Sequence, residues 1–123
     1  MTKLSERIEA RSGDTTELAA EMLTFVTGTY VFESGGMLVQ KPEQSKINIH
    51  ANPLTDERAI AALEREYLPE EWWPVHIESH KSGNVYVDII NANDDYKVYV
   101  KCSNEALARS AALVRALEVS REV

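Results

Sequence analysis

The sequence predicts an α+β fold: N-terminal helices, then an α-β-β-β-α unit whose antiparallel sheet of three or more strands is covered by helices. Two observations carry this. Between residues 75 and 101, apolar and polar residues alternate in three short runs separated by turn-forming clusters, the period-2 signature of half-buried strands. On either side of those runs, and again near the N-terminus, apolar residues recur at spacings of three and four, the signature of amphipathic helices.

The first 28 residues read as helix, break, helix. Leu4 and Ile8 are four apart, and Ser12-Gly13 interrupts the pattern. Asp14 is placed to cap a second helix with Glu17 as its reciprocal partner. Leu18, Met22 and Phe25 form that helix's stripe, and Gly28 suits its stop. Residues 29–51 leave two readings open, hairpin or loop. Tyr30-Val31-Phe32 and Met37-Leu38-Val39 flank Glu33-Ser34-Gly35-Gly36, and Lys41-Pro42-Glu43-Gln44-Ser45 reads as a surface loop.

The unit at 52–119 opens with Asn52-Pro53 as a helix entry, followed by Thr55, Asp56 and Glu57 at the positive end of the dipole. Ala59, Ile60, Leu63 and Tyr67 share one face, and Pro69 ends the helix. The alternation then predicts three strands. In the first hairpin it pairs Ile77 with Val87 and His76 with Asp88. In the second it pairs Val87 with Val98, Tyr86 with Tyr99, and Asp88 with Lys97. One sheet face is therefore Val75, Ile77, Val85, Val87, Ile89, Val98 and Val100; the other is His76, Glu78, Tyr86, Asp88, Lys97, Tyr99 and Lys101. The last helix starts at Ser103 or Asn104 and carries Leu107, Ala111, Val114 and Leu117 on one stripe. That stripe and the one at 54–67 are expected to cover the apolar face.

The length of 123 residues suits a single domain, and 44% hydrophobic with 27% charged content suits a packed core. No apolar run approaches the roughly 20 residues of a membrane span, and the opening residues lack a signal-like apolar stretch. One cysteine, Cys102, rules out an internal disulfide and favours a reducing compartment. The expected location is the cytoplasm. Twenty acidic against thirteen basic residues give a net charge of −7, which repels nucleic acid and anionic membranes unless cations cluster.

Catalytic chemistry finds little to use. His76, Glu78, His80 and Asp88 could converge on a metal, but no metal-ligand spacing motif is present and a solvated sheet face explains them better. Cys102 falls on the Val98–Val100 side and reads as a buried structural thiol. There is no G-x-S-x-G elbow, and Gly35-Gly36 lacks the company of a phosphate loop. No enzyme activity and no cofactor are expected.

Partner binding has better candidates. Glu64, Glu66, Glu70 and Glu71 make 56–71 the most acidic stretch, and Trp72-Trp73 follows it directly. Of two adjacent tryptophans, one is expected to plug the core and the other to point partly outward as an interface anchor.

Two resemblances bear on this. The α-β-β-β-α order ending in an alanine-rich helix (Ala106, Ala108, Ala111, Ala112, Ala116) resembles a double-stranded-RNA-binding domain. That family grips phosphate with lysines at the start of its last helix. Here that place is Ser103-Asn104-Glu105-Ala106-Leu107, with no lysine, so the resemblance does not carry the binding chemistry. The second covers most of the chain. Leu4-Ser5-Glu6-Arg7-Ile8-Glu9-Ala10, Gly13-Asp14 and Glu17-Leu18 resemble the opening of small phage and prophage proteins of the ABA sandwich type. Ala106-Leu107-Ala108 and Ala112-Leu113-Val114-Arg115-Ala116-Leu117 resemble their closing helix. That resemblance implies helices on both sheet faces, with the N-terminal helices over part of the polar one, and supplies no catalytic residues.

The expected function is a phage-encoded accessory protein that binds and inhibits a host or defence-system protein. An anti-CRISPR role against an effector component is the concrete case. The expected contact is Glu64, Glu66, Glu70, Glu71, Trp72 and Trp73. Two alternatives stay open: a nucleic-acid-binding module using Lys97, Lys101 and the tyrosines, and a small metal-dependent enzyme. Monomer and homodimer are both open.

Overall fold

The alanine-rich C-terminal stretch forms helix α4 (Glu105–Arg121), which is started by the Asn104 side chain accepting from the Leu107 N–H at 2.8 Å. The structure is a computed structural model, described at residues 3–10, 15–28, 30–34, 37–41, 52–73, 75–93 and 97–121. The expected α4 stripe of Leu107, Ala111, Val114 and Leu117 is buried, but Ala106, Ala108, Ala112, Leu113 and Ala116 are buried too. A helix buried all round is a central element rather than a cover, and its alanines let neighbours approach from several sides. The sheet lies on one side, and helices α1 (Leu4–Ala10), α2 (Thr15–Thr27) and α3 (Glu57–Tyr67) contact it elsewhere.

The N-terminal elements are tied to the end of α4. Ser5 on α1 donates from Oγ to Glu118 at 2.5 Å, and its N–H also reaches that carboxylate, at 3.3 Å. Helix α2 stops at Gly28, whose φ of 75° is the left-handed conformation that glycine adopts without strain. The Arg121 guanidinium donates to the carbonyls of Phe25 and Val26, partners for the open carbonyls of the last α2 turn. Strands β1 (Tyr30–Ser34) and β2 (Met37–Lys41) form an antiparallel hairpin with Phe32 opposite Val39, which decides the open reading of this region. The Thr24 hydroxyl accepts from the Val31 N–H at 2.9 Å and fixes the hairpin to α2. The Asp14 cap, the Gly35-Gly36 turn and most of the 41–45 loop lie outside the described residues.

Helix α3 begins later than the sequence suggests. Asn52 accepts from the Leu54 N–H at 2.9 Å and closes a turn, so Asn52-Pro53 precedes the helix. Asp56 is the cap, accepting from the Arg58 N–H at 2.9 Å. The buried face of α3 rests on α4 and α2, not on the sheet as expected. A 3-10 turn at Glu70–Trp72 then leads into the strands.

Strands β3 (Val75–Ser79), β4 (Val85–Ile90) and β5 (Lys97–Cys102) form an antiparallel sheet in that order. The first hairpin has the expected register, with Ile77 opposite Val87 and His76 opposite Asp88. In the second, Val87 faces Val100, Tyr86 faces Lys101 and Asp88 faces Tyr99, a slip of two residues from the expected pairs. An even slip keeps every side chain on its face. The pattern therefore determines the face but not the partner, and β4 runs on to pair Ile90 with Lys97. Val85, Val87, Ile89, Val98, Val100 and Cys102 are buried on the α4 side.

Candidate functional site

Among the described residues, no element covers the opposite face of the sheet. Helix α1 sends Ile8 into the core and packs on α4, and its Glu9 carbonyl lies near Cys102 on the apolar side. The tyrosine-bearing face is thus left uncovered by α1, contrary to what the ABA sandwich resemblance implies.

Alternation puts Tyr86, Asp88 and Ile90 of β4 on this face, between His76 and Glu78 of β3 and Lys97, Tyr99 and Lys101 of β5. An aromatic stripe crosses it. His80 meets Tyr86 edge-on at 4.5 Å between centroids, and Tyr86 lies 5.8 Å from Tyr99. At the stripe's other end, Trp73, His76, Asp88, Ile90 and Ala92 line a cup of about 490 Å³. The Trp73 indole is positioned by donation from Nε1 to the Leu68 carbonyl at 3.3 Å. Of the four large hydrophobic residues that are exposed among the described residues, three are here: Trp73 at 39%, Ile90 at 53% and Tyr99 at 48%.

Charge on this face is balanced. Asp88 sits between Lys97 at 3.6 Å and His76 at 3.7 Å, and Glu78 pairs with His80 at 3.2 Å. Partial burial, and then the neighbouring Tyr86, Asp88 and Glu78, push the Tyr99 phenol above its ordinary value, so it stays a neutral donor. The histidines and carboxylates form two separate pairs, and among the described residues no group of three or more His, Cys, Asp or Glu could hold a metal ion. His50 lies outside the described residues.

The acidic contact expected at 64–73 is divided by the fold. Glu64 is 1% exposed and is gripped by Arg109 of α4, whose Nε donates at 3.2 Å while Nη2 binds the other oxygen. That bonding holds the Arg109 guanidinium above its ordinary range despite desolvation, and Glu105 adds a second carboxylate at 3.0 Å. Trp72 is completely buried and donates from Nε1 to the Ser120 hydroxyl at 2.8 Å. Glu66 and Glu70 are exposed, Glu71 is half-buried, and Trp73 is the outward member of the tryptophan pair. Glu64 and Trp72 are therefore core groups and not available to a partner. Sequence reasoning missed Ile90, although the alternation that buries Ile89 places it on the open face.

Cys102 is 6% exposed, and burial, with a smaller contribution from Glu9, pushes its thiol up to about 11. Since the thiolate is the reactive form, iodoacetamide at pH 8 is expected to label the native protein about 100-fold more slowly than the urea-unfolded chain. Equal rates would contradict this placement. Thiolate formation disfavours the folded state, so this group's contribution to stability is complete below the unfolded thiol pKa and is lost as pH rises toward 11.

No family model, curated protein or solved structure matches this chain. No helix among the described residues is long and apolar enough to cross a membrane.

Proposed function

We propose that this chain is a non-catalytic accessory protein that acts by docking on a partner protein through the open sheet face. Trp73, Ile90 and Tyr99 are its anchors. The observation that carries the reading is the collection of exposed large hydrophobics around one apolar cup, on a face where Asp88 is paired with Lys97 and His76. Tryptophan and tyrosine at a partly desolvated centre, with paired charges around it, are the composition of protein-binding hot spots. The net charge of −7 and the resemblance to phage proteins favour a partner with a basic surface in the host or its defence system. Inhibition of a nucleic-acid-guided nuclease is the concrete case. Glu66 and Glu70, which are exposed on the chain leading to Trp73, are suited to the rim of such a contact.

A second reading rests on Tyr86 and Tyr99, which could stack on unpaired bases beside Lys97 and Lys101. Lys97 is held by Asp88, and the formal charges of Glu78 and Asp88 equal those of Lys97 and Lys101, so this face carries no net positive charge for phosphate.

Both readings are tested by a tagged pull-down from nuclease-treated host lysate, run with wild type and with the Ile90→Glu, Tyr99→Ala double variant. The docking reading expects one stoichiometric protein that the double variant loses. Capture that depends on nucleic acid, together with a gel shift at moderate salt, would replace it with the second reading.

A further inference from the structure

The two edges of the three-stranded sheet differ from its centre: β3 has β4 on one side and, among the described residues, no strand on the other. The direction of its free backbone groups follows from the hairpin. The His80 N–H donates to the Asn84 carbonyl at 3.0 Å, which makes 80 and 84 a hydrogen-bonded pair. Hydrogen-bonded and non-hydrogen-bonded pairs alternate along an antiparallel ladder. His76 and Glu78 therefore spend their backbone groups on β4, and Val75, Ile77 and Ser79 aim theirs outward. Natural edges are commonly blocked by proline, lysine or a bulge within the strand. Val75-His76-Ile77-Glu78-Ser79 has no proline or lysine and pairs with β4 without interruption.

We infer that β3 pairs with β3 of a second copy of this chain, antiparallel about a two-fold axis at Ile77. That register brings outward-facing groups together at Ile77 with Ile77, and at Val75 with Ser79 on both sides of the axis. It also places His76 opposite Glu78 of the other copy, twice, on the open face. The alternative registers lose the contact between His76 and Glu78. Centring on His76 sets the two His76 side chains against each other, and centring on Glu78 opposes two carboxylates, which is destabilising. Val75 and Ile77 are half-buried in the single chain, and the neighbouring copy covers more of their apolar surface. Paired residues lie on the same side of a sheet, so the axis is perpendicular to it. The dimer thus carries both open faces on one side, as a six-stranded sheet with two Trp73 cups.

A five-residue edge buries less than a standard interface, so the dissociation constant is expected in the range of tens of micromolar. Sedimentation velocity of the full chain over a concentration series tests this. Each side-chain pair occurs twice, so Glu78→Lys is expected to weaken the dimer by about tenfold. Combining it with His76→Glu sets opposite charges across the axis and should recover affinity to within about threefold. Both side chains are exposed, at 67% for His76 and 60% for Glu78, and unchanged circular dichroism would confirm that the variants fold. A chain that stays monomeric throughout the series, or a dimer indifferent to Glu78→Lys, would overturn the inference. Neither result bears on whether Trp73 anchors a different protein.

Discussion

Glu64→Ala is expected to cost about 3–5 kcal/mol of stability in urea titration, because it leaves a guanidinium in a site that was built around a carboxylate. Arg109 is 14% exposed and spans Glu64 and Glu105, holding α3 to the first turns of α4. Removing one partner of such a pair is far more harmful than replacing both with apolar groups of similar volume. Glu64→Leu with Arg109→Met is accordingly expected to recover most of the loss. Glu66→Ala, at an exposed position of the same helix, should stay within about 0.5 kcal/mol. A Glu64→Ala loss no larger than that of Glu66→Ala would show that the pair is solvated. The contrast also bears on function, since a reversal at Glu64 would abolish partner binding through unfolding alone.

The tryptophans should separate just as sharply. Trp72→Ala removes a fully buried side chain and its hydrogen bond to Ser120, and is expected to cost about 3–5 kcal/mol. Trp73→Ala removes an indole that is 39% exposed and donates from Nε1 to the Leu68 carbonyl. Its cost should be near 1 kcal/mol, the ordinary range for partly exposed sites. Thermal melts of the two variants side by side check this. Equal losses would mean that Trp73 is also a core residue.

What the sequence made legible and what it concealed have separate physical causes. Face assignment in the sheet was readable because the period of two admits only two answers, and burial of Val85, Val87, Val98 and Val100 selects one. Register in the second hairpin was not, because a slip of two leaves that pattern unchanged. Glu64 lies four residues after Ile60, so helical spacing placed it inward while its charge suggested solvent. The residue that resolves the conflict, Arg109, is 45 positions away. The central role of α4 was hidden by its alanines, which show no strong stripe and are small enough to be approached from every side. Which of two adjacent tryptophans turns inward depends on a 3-10 turn and a serine 48 positions on, and local pattern contains neither. The open face was readable in composition, but whether a helix covers it depends on where α1 docks.

The most direct test of the docking account is calorimetric titration of the captured partner into wild type, Trp73→Ala and a Glu66→Lys, Glu70→Lys double variant, all shown to be folded. The account expects Trp73→Ala to weaken binding by at least about thirtyfold, as loss of a central anchor does. The charge variant should be affected far less, as rim charges are. Wild-type affinity for Trp73→Ala, with binding abolished by charge reversal, would contradict it and move the contact to the acidic edge.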